Sequence, residues 1–325
     1  MQSTRRAACA ALGLALASAF AAPAFAQAWP AKPIKLVVPF PAGGGTDIIG
    51  RELAQKLATN TGWTVIIDNK PGSGGNLGVD AAAKSAADGY TVVLGQTSNL
   101  AINPTLYPKL PYDPVKDLTP VSLVASAPMA IVVAADSPYK TLAELVAAAR
   151  AKPTSINFAT SGNGTVAHLA MEQFQSAAGV KMTHVPYKGA AQGVTDLIGG
   201  QVQVYVSSVP TLVGHVRNGK MRALAVTSTK RTDDLPQVPT VAETYKGFDA
   251  VTWFGIAGPA KMPQDVVAKL NAEINKALRA PDLLKKLSDQ GADVQGSTPE
   301  QFGKLIQDDV ARWGKLVKAS GAKID

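Results

Sequence analysis

The stretch Ile34-Lys35-Leu36-Val37-Val38-Pro39-Phe40-Pro41-Ala42-Gly43-Gly44-Gly45-Thr46-Asp47 reads as a strand, a glycine loop and the start of a helix. The near-continuous apolar run at its head fits a parallel strand covered on both faces. Beyond the loop, Ile49, Leu53 and Leu57 recur every four residues, which predicts a helix over 46–58. The same order returns much later in the chain. Ile156-Asn157-Phe158-Ala159 leads into Thr160-Ser161-Gly162-Asn163-Gly164-Thr165, and a helix is expected to about 177. In such a turn glycine leaves the backbone N–H groups bare, and the helix N-terminus behind them adds partial positive charge. Two of these loops can close on one small anion from opposite sides.

Working outward, Val65-Ile66-Ile67 is the next strand, followed by the loop Asn69-Lys70-Pro71-Gly72-Ser73-Gly74-Gly75 and a small-residue helix to about 86. Asp88-Gly89 turns the chain into Tyr90-Thr91-Val92-Val93-Leu94. The pattern is expected to restart after Pro128 with a strand at Ile131-Val132-Val133. Thr141 and Glu144 then form a capping box for a helix to about 151. Further strands are expected at 202–206 and 223–226. Pro263 opens one C-terminal helix; Thr298-Pro299-Glu300-Gln301 opens another with cap, N1 proline and N3 glutamine in place. Strands alternating with helices at this pitch predict an α/β fold with right-handed crossovers.

The first 26 residues have the form of a secretory signal. Arg5 and Arg6 precede an apolar run over 7–22, and Ala24-Phe25-Ala26 supplies the small-x-small cleavage pattern, so cleavage is expected near Ala26. The paired arginines leave Sec and Tat export both open. Cys9, the single cysteine, leaves with that segment, so no disulfide or thiol chemistry is expected. The remaining chain, about 300 residues, is too long for one core and predicts two domains. Loss of Arg5 and Arg6, one charge each, lowers the formal net charge from +8 to +6. The lysines are dispersed and no basic run carries interleaved aromatics, which argues against nucleic acid as a partner.

Each glycine loop taken alone fits an ordinary turn equally well. Together they make an anion site, with Thr46, Ser161, Asn163 and Thr165 as additional donors. Each hydrogen bond to a charged oxygen contributes roughly 1.5–3 kcal/mol and a helix N-terminus about 0.3–1. Four or five such bonds support micromolar affinity without an arginine. Gln96-Thr97-Ser98-Asn99, at the C-terminal end of a strand, offers further polar groups, and Tyr187 lies at a strand-to-helix junction where it can wall a pocket. Catalytic patterns are weak. His168, His184 and His215 lack metal-ligand spacing, no G-x-S-x-G elbow or phosphate loop is present, and Gly72, Gly74 and Gly78 depart from dinucleotide spacing. An exported hydrolase using Ser161 and His168 is the remaining enzymatic reading. No metal and no cofactor is expected.

The ordered set Trp29-Pro30, Pro33-Ile34, 38–47, 69–76, Asp88-Gly89-Tyr90-Thr91, Ser161-Gly162-Asn163-Gly164-Thr165-Val166-Ala167-His168-Leu169 and Val185-Pro186-Tyr187-Lys188-Gly189 resembles the Bug family. These are extracytoplasmic solute receptors of tripartite tricarboxylate transporters. The resemblance implies a type II-like, two-lobed periplasmic binding protein, not an enzyme, whose lobes are mostly parallel sheets flanked by helices. The expected division is 27–127 with 251–325 as one lobe and 128–250 as the other. It also implies a cleft that closes on a small mono- or dicarboxylate, integral membrane subunits as partners and a monomeric receptor. A sensor-kinase ectodomain is an alternative partner. Carried onto this chain, the resemblance points to Ala42, Gly43, Gly44, Gly45, Thr46 and Asp47 and to Ser161, Gly162, Asn163, Gly164 and Thr165; the full candidate ligand-binding set adds Phe40, Thr97, Ser98, His168, Tyr187 and Ser207. The chain departs from the family pattern at Ser207-Ser208-Val209-Pro210, where many relatives carry an aspartate or other polar residue, and at Pro41-Ala42-Gly43, which replaces the more usual Pro-Gly-Gly start.

Overall fold

Strand β1 (Ile34–Val38) buries Ile34, Leu36, Val37 and Val38 and pairs in parallel with β2 (Val65–Asn69) on one side and β3 (Thr91–Gln96) on the other. The computed structural model describes residues 29–320 and 322. The signal segment and its cleavage site therefore lie outside the described residues. Helix α1 (Gly45–Thr61) makes the first crossover and buries Ile49, Leu53 and Leu57, the residues of the four-residue repeat. It ends at Gly62, whose left-handed backbone returns an N–H to the Ala58 carbonyl. Helix α2 (Asn76–Ala83) makes the second crossover.

The polar stretch after β3 is helical and buried. The chain goes directly into a wide-turned helical segment at Ser98–Ile102 and then α3 (Asn103–Leu106), and residues 97–103 are buried. Asn99 Oδ1 accepts the Gln96 amide at 3.0 Å, so the polar side chains satisfy the backbone where it turns.

Strand β4 (Leu118–Ala134) follows and corrects an expectation. Ile131-Val132-Val133 is the end of this strand, not a new start after Pro128. Pro128 read as a break because it lacks an N–H. In the fold it sits where β4 changes partners, a place where a missing donor is tolerated. The chain continues through α4 (Leu142–Ala151), β5 (Asn157–Thr160), α5 (Val166–Ala178), β6 (Thr183–Pro186), α6 (Ala190–Ile198) and β7 (Val204–Ser208). Next come α7 (Val209–Arg217), β8 (Met221–Val226), α8 (Val241–Thr244), β9 (Val251–Pro259), α9 (Gln264–Leu278), α10 (Pro281–Asp289), β10 (Asp293–Val294) and α11 (Pro299–Ser320).

The strand order is β2-β1-β3-β9-β4-β7-β5-β6, with β8 and β10 also paired to β4. From Leu118 to Pro128, β4 runs antiparallel to β9; from Met129 onward it runs antiparallel to β7 and β8. One strand thus belongs to both lobes, and each lobe has parallel strands at its outer side: β2-β1-β3 in one, β7-β5-β6 in the other. Helix α11 packs on β4 and touches both α3 and α5. Its Phe302 and Trp313 are buried, and its Asp309 accepts the Trp253 indole N–H at 2.6 Å.

Candidate functional site

Four helices begin on one cavity. The N-cap residues Gly44 of α1, Thr165 of α5, Gly189 of α6 and Ser208 of α7 all line it. The reason is topological: each of these helices follows a strand (β1, β5, β6 and β7), so the strand ends that face the gap between the lobes carry helix starts. Thr46, Val166, Ala167 and Ala190 also line the cavity. They lie in first turns, where a helix has no carbonyl for its own amides. The cavity measures ≈ 60 Å³. Among the described residues that line it, none has a charged side chain. Phe40, Pro41 and Met129 supply apolar wall; Gln96, Ser161, Ser207, Ser208, Thr211 and Thr252 supply neutral polar groups. Positive potential here comes from helix ends and amides.

The lobes touch across this cavity. The Gly45 amide donates to Thr211 Oγ1 at 2.9 Å, and Thr211 Oγ1 lies 3.1 Å from Ser208 Oγ. A side chain at Gly189 would press its Cβ to 2.6 Å from Pro41 Cγ, so glycine is what lets the first loop seat against α6.

A charged brace holds the first loop. Asp47 is buried; its Oδ2 accepts the Gly43 amide at 3.0 Å and Arg51 Nε at 2.9 Å, and its Oδ1 accepts Asn69 Nδ2 at 2.9 Å. Asn69 also donates to the Phe40 carbonyl at 3.0 Å. Burial alone would raise the Asp47 pKa, but Arg51, the Gly43 amide and Asn69 together outweigh it and hold the carboxyl below its usual range.

The second loop has a neutral brace. His168 Nδ1 accepts the Gly164 amide at 3.3 Å, and Thr165 Oγ1 caps the His168 amide at 3.3 Å. The His168 ring stacks on His184 at 4.1 Å, which stacks in turn on Phe158 at 4.9 Å. Burial pushes the His168 pKa down to about 4, and burial with the neighbouring His168 pushes His184 down to about 3, so both rings are neutral near pH 7. Behind the loop, the Tyr205 hydroxyl lies 2.9 Å from Ser161 Oγ. Burial raises the Tyr205 pKa and keeps the phenol protonated.

Of the residues singled out in the sequence, Phe40, Gly44, Gly45, Thr46, Ser161, Thr165 and Ser207 line the cavity. Gly162, Asn163 and Tyr187 line an adjoining cavity of ≈ 470 Å³ that shares Phe40, Pro41 and Ser161 with the first. The Tyr187 hydroxyl donates to Asp196 Oδ2 at 2.7 Å, and burial, then this carboxylate, pushes the phenol up to about 12. That hydroxyl is spent on Asp196.

Ala42, Gly43, Asp47, Thr97, Ser98, Gly164 and His168 line neither wall. Asp47, Gly164 and His168 are buried in the braces. Thr97 Oγ1 accepts the Trp253 amide, and Ser98 Oγ accepts Gln96 Nε2. His168 is not poised beside Ser161, because its Nδ1 is taken by the Gly164 amide. The sequence reading missed Gln96, Met129, Ser208, Thr211 and Thr252 as wall residues and Tyr205 behind the wall. Gln96 was legible in principle, as the last residue of a strand with its C-terminal end at the cleft. Thr211 was not, because its place depends on α7 reaching a residue on α1.

A hinge-strand fold with two lobes, and a small cavity walled by helix starts from both, defines a solute-binding protein of the periplasmic class and not an enzyme. The model of the tripartite tricarboxylate transporter family receptor matches residues 49–322, and the chain belongs to that family. It is 39% identical to protein BugT of Bordetella pertussis over 316 residues, 96% of this chain and 97% of BugT. The solved periplasmic binding protein BugD aligns with a TM-score of 0.87 and 34% identity, covering 91% of this chain and 99% of BugD. A protein of R. palustris solved with adipate aligns with a TM-score of 0.88 and 34% identity, covering 91% of this chain and 100% of the other.

Proposed function

We propose that this protein is exported to the periplasm, captures a small mono- or dicarboxylate in the cavity between its lobes and delivers it to the integral subunits of a tripartite tricarboxylate-type transporter. One observation carries the reading: four helix N-termini meet on a cavity that has no charged side chain on its wall. Such a site favours an anion through amides and dipoles that are already oriented, so binding requires little reorganisation. The adipate-bound relative supports a carboxylate as the ligand class. The contacts are assigned to Gly44, Thr46, Ser161, Thr165 and Ser207, with Phe40 as apolar wall. The lobe boundaries are placed at 127/128, one residue before β4 changes partners, and at 250/251, where β9 begins.

The test is a thermal-shift and calorimetric screen of the purified protein against small carboxylates. A ligand at a hundred times its Kd stabilises the fold by about 2.7 kcal/mol, a shift of several degrees. Absence of a shift with every carboxylate overturns the reading. Gly44→Leu fills the cavity from a position with ordinary backbone angles, and is expected to weaken binding more than a hundredfold while the protein stays folded.

A further inference from the structure

The loop Gly72-Ser73-Gly74-Gly75 is a third glycine-rich stretch, and it takes no part in the small cavity. It walls the adjoining cavity of ≈ 470 Å³ instead. All four residues have positive φ, from 49° at Ser73 to 135° at Gly72. The Gly75 amide turns back onto the Gly72 carbonyl at 2.9 Å, while the Ser73 and Gly74 amides have no acceptor among the described residues. The Tyr107 hydroxyl reaches the same wall. A Cβ on Gly74 would stand 2.8 Å from it, so the glycine leaves room for the phenol. That hydroxyl has no partner among the described residues, and burial raises its pKa, so it stays protonated and can donate. Lys188, from the turn between β6 and α6, also lines this cavity. It carries the single charge on the wall among the described residues, and it forms no ion pair with any of them. Its neighbour Tyr187 bonds Asp196, whose carboxylate is not part of the wall.

The two cavities share a wall. Phe40, Pro41 and Ser161 line both, and Lys188 is followed at once by Gly189, the cap of α6 on the small cavity. One ligand can therefore lie across them. We propose that the adjoining cavity is a second anion site, built by Lys188, Tyr107 and the Ser73 and Gly74 amides, which makes the ligand a dicarboxylate. The inference rests on the carboxylate-receptor reading and narrows it. The helix starts take one carboxylate in the small cavity, where no cationic side chain offsets the repulsion of a second. The far carboxylate is carried next door, to an ammonium group and to neutral donors left without an acceptor. A monocarboxylate puts only a methyl end there and gains neither the charge pair nor the hydrogen bonds. Lys188 is exposed, so solvent and salt screen its share, and the preference amounts to about tenfold in affinity.

The experiment is titration calorimetry on the whole protein with acids matched in chain length: succinate against butyrate, glutarate against valerate, and adipate against hexanoate. At least one diacid is expected to bind about tenfold more tightly than its partner, with the margin shrinking as salt is raised. Lys188→Gln removes the charge at an exposed position. It is expected to cut that ratio at least about threefold and to leave the monoacid within about twofold of its wild-type Kd. Lys188→Glu sets a like charge there and is expected to erase the preference. Monoacids, from this panel or the wider screen, that bind the wild-type protein as tightly as any diacid overturn the second site and leave the receptor reading standing. A preference unchanged in both lysine variants does the same. Wild-type protein that binds no acid of this panel or of the wider carboxylate screen overturns both.

Discussion

The two glycine loops look alike in sequence and both open onto the cavity, yet they are held by opposite chemistry. Gly43 at the first loop donates its amide to an ionised, arginine-paired Asp47; Gly164 at the second donates to the neutral ring of His168. The first loop lies partly at the surface, where Arg51 remains solvated beside the carboxylate it pairs with. The second is walled in by Leu106, Asn103 and the stacked histidines, where a carboxylate would be expensive to desolvate and an imidazole is not. The partner at hand, a solvated arginine beside Asp47 and a stacked ring beside His168, distinguishes the braces.

The sharpest way to break this comparison is to add one methyl group to each loop. Gly43 and Gly164 both have left-handed backbones, with φ of 85° and 75°. Around Gly43 a Cβ meets nothing within 4 Å, so Gly43→Ala costs only the backbone strain, about 1–2 kcal/mol. At Gly164 the Cβ would lie 2.4 Å from Leu106 Cδ2 and 3.0 Å from Asn103 Oδ1, on the opposite lobe. Overpacking of about 1–3 kcal/mol adds to the same strain, for a total of roughly 2–5. Urea midpoints of the two variants measure the gap. Equal losses at both sites would show that the lobes do not press together at the second loop.

Acid separates the braces next. In the unfolded chain His168 takes a proton near 6.5, and in the fold only near 4. Across that window the unfolded state binds more protons, so stability falls as pH falls, by on the order of 3 kcal/mol, and the loss is complete below about 4. The neighbouring His184 shifts the same way, while Glu172, 3.8 Å from His168 Nε2, is raised by burial. Asp47 is lowered in the fold, so its contribution is intact above the ordinary aspartate value of 3.8 and is lost only as pH falls below it. The second loop is expected to weaken first. Stability measured from pH 7 to 4.5 should drop in the wild type and drop less steeply in His168→Gln, which keeps the His184 share; an unchanged slope would remove His168 from the account.

How much of this was legible follows from the range of the forces involved. The strand, loop and helix units could be read because their signals are local: an apolar run, glycines, then a four-residue repeat at Ile49, Leu53 and Leu57. The capping boxes at Thr141 with Glu144 and at Thr298 with Gln301 are equally local, and both form. The cavity wall was only half legible. Phe40, Thr46 and Ser161 sit on the loops that announced themselves, whereas Met129 and Thr252 reach the cavity because β4 crosses between lobes at Met129 and β9 begins beside that crossing. Nothing near Met129 in sequence marks that crossing, and Pro128 beside it suggests a break. The braces were misread for a related reason. Asp47 and His168 stand beside glycine loops and look like ligand contacts, but both turn back onto their own loop's amide.

The smallest expected difference lies at the two helix caps, and it tests whether the loops share a design at all. Thr165 caps α5 with its hydroxyl, which accepts the His168 amide; Gly44 caps α1 with no side-chain bond. Thr165→Ala should cost about 1 kcal/mol, the usual value of a lost threonine cap. Gly44→Ala removes no bond. The backbone there is extended, with φ −86° and ψ 166°, and the added Cβ would meet Ala190 Cβ at 3.8 Å, an ordinary contact. Its stability is expected to stay within about 0.5 kcal/mol of wild type, the range of substitutions that touch no special feature. Glycine at 44 then serves the cavity and not the fold, since the missing side chain keeps the wall open where a bulkier residue would close it. A loss at Gly44→Ala as large as that at Thr165→Ala would mean that the first loop depends on this glycine for its own conformation.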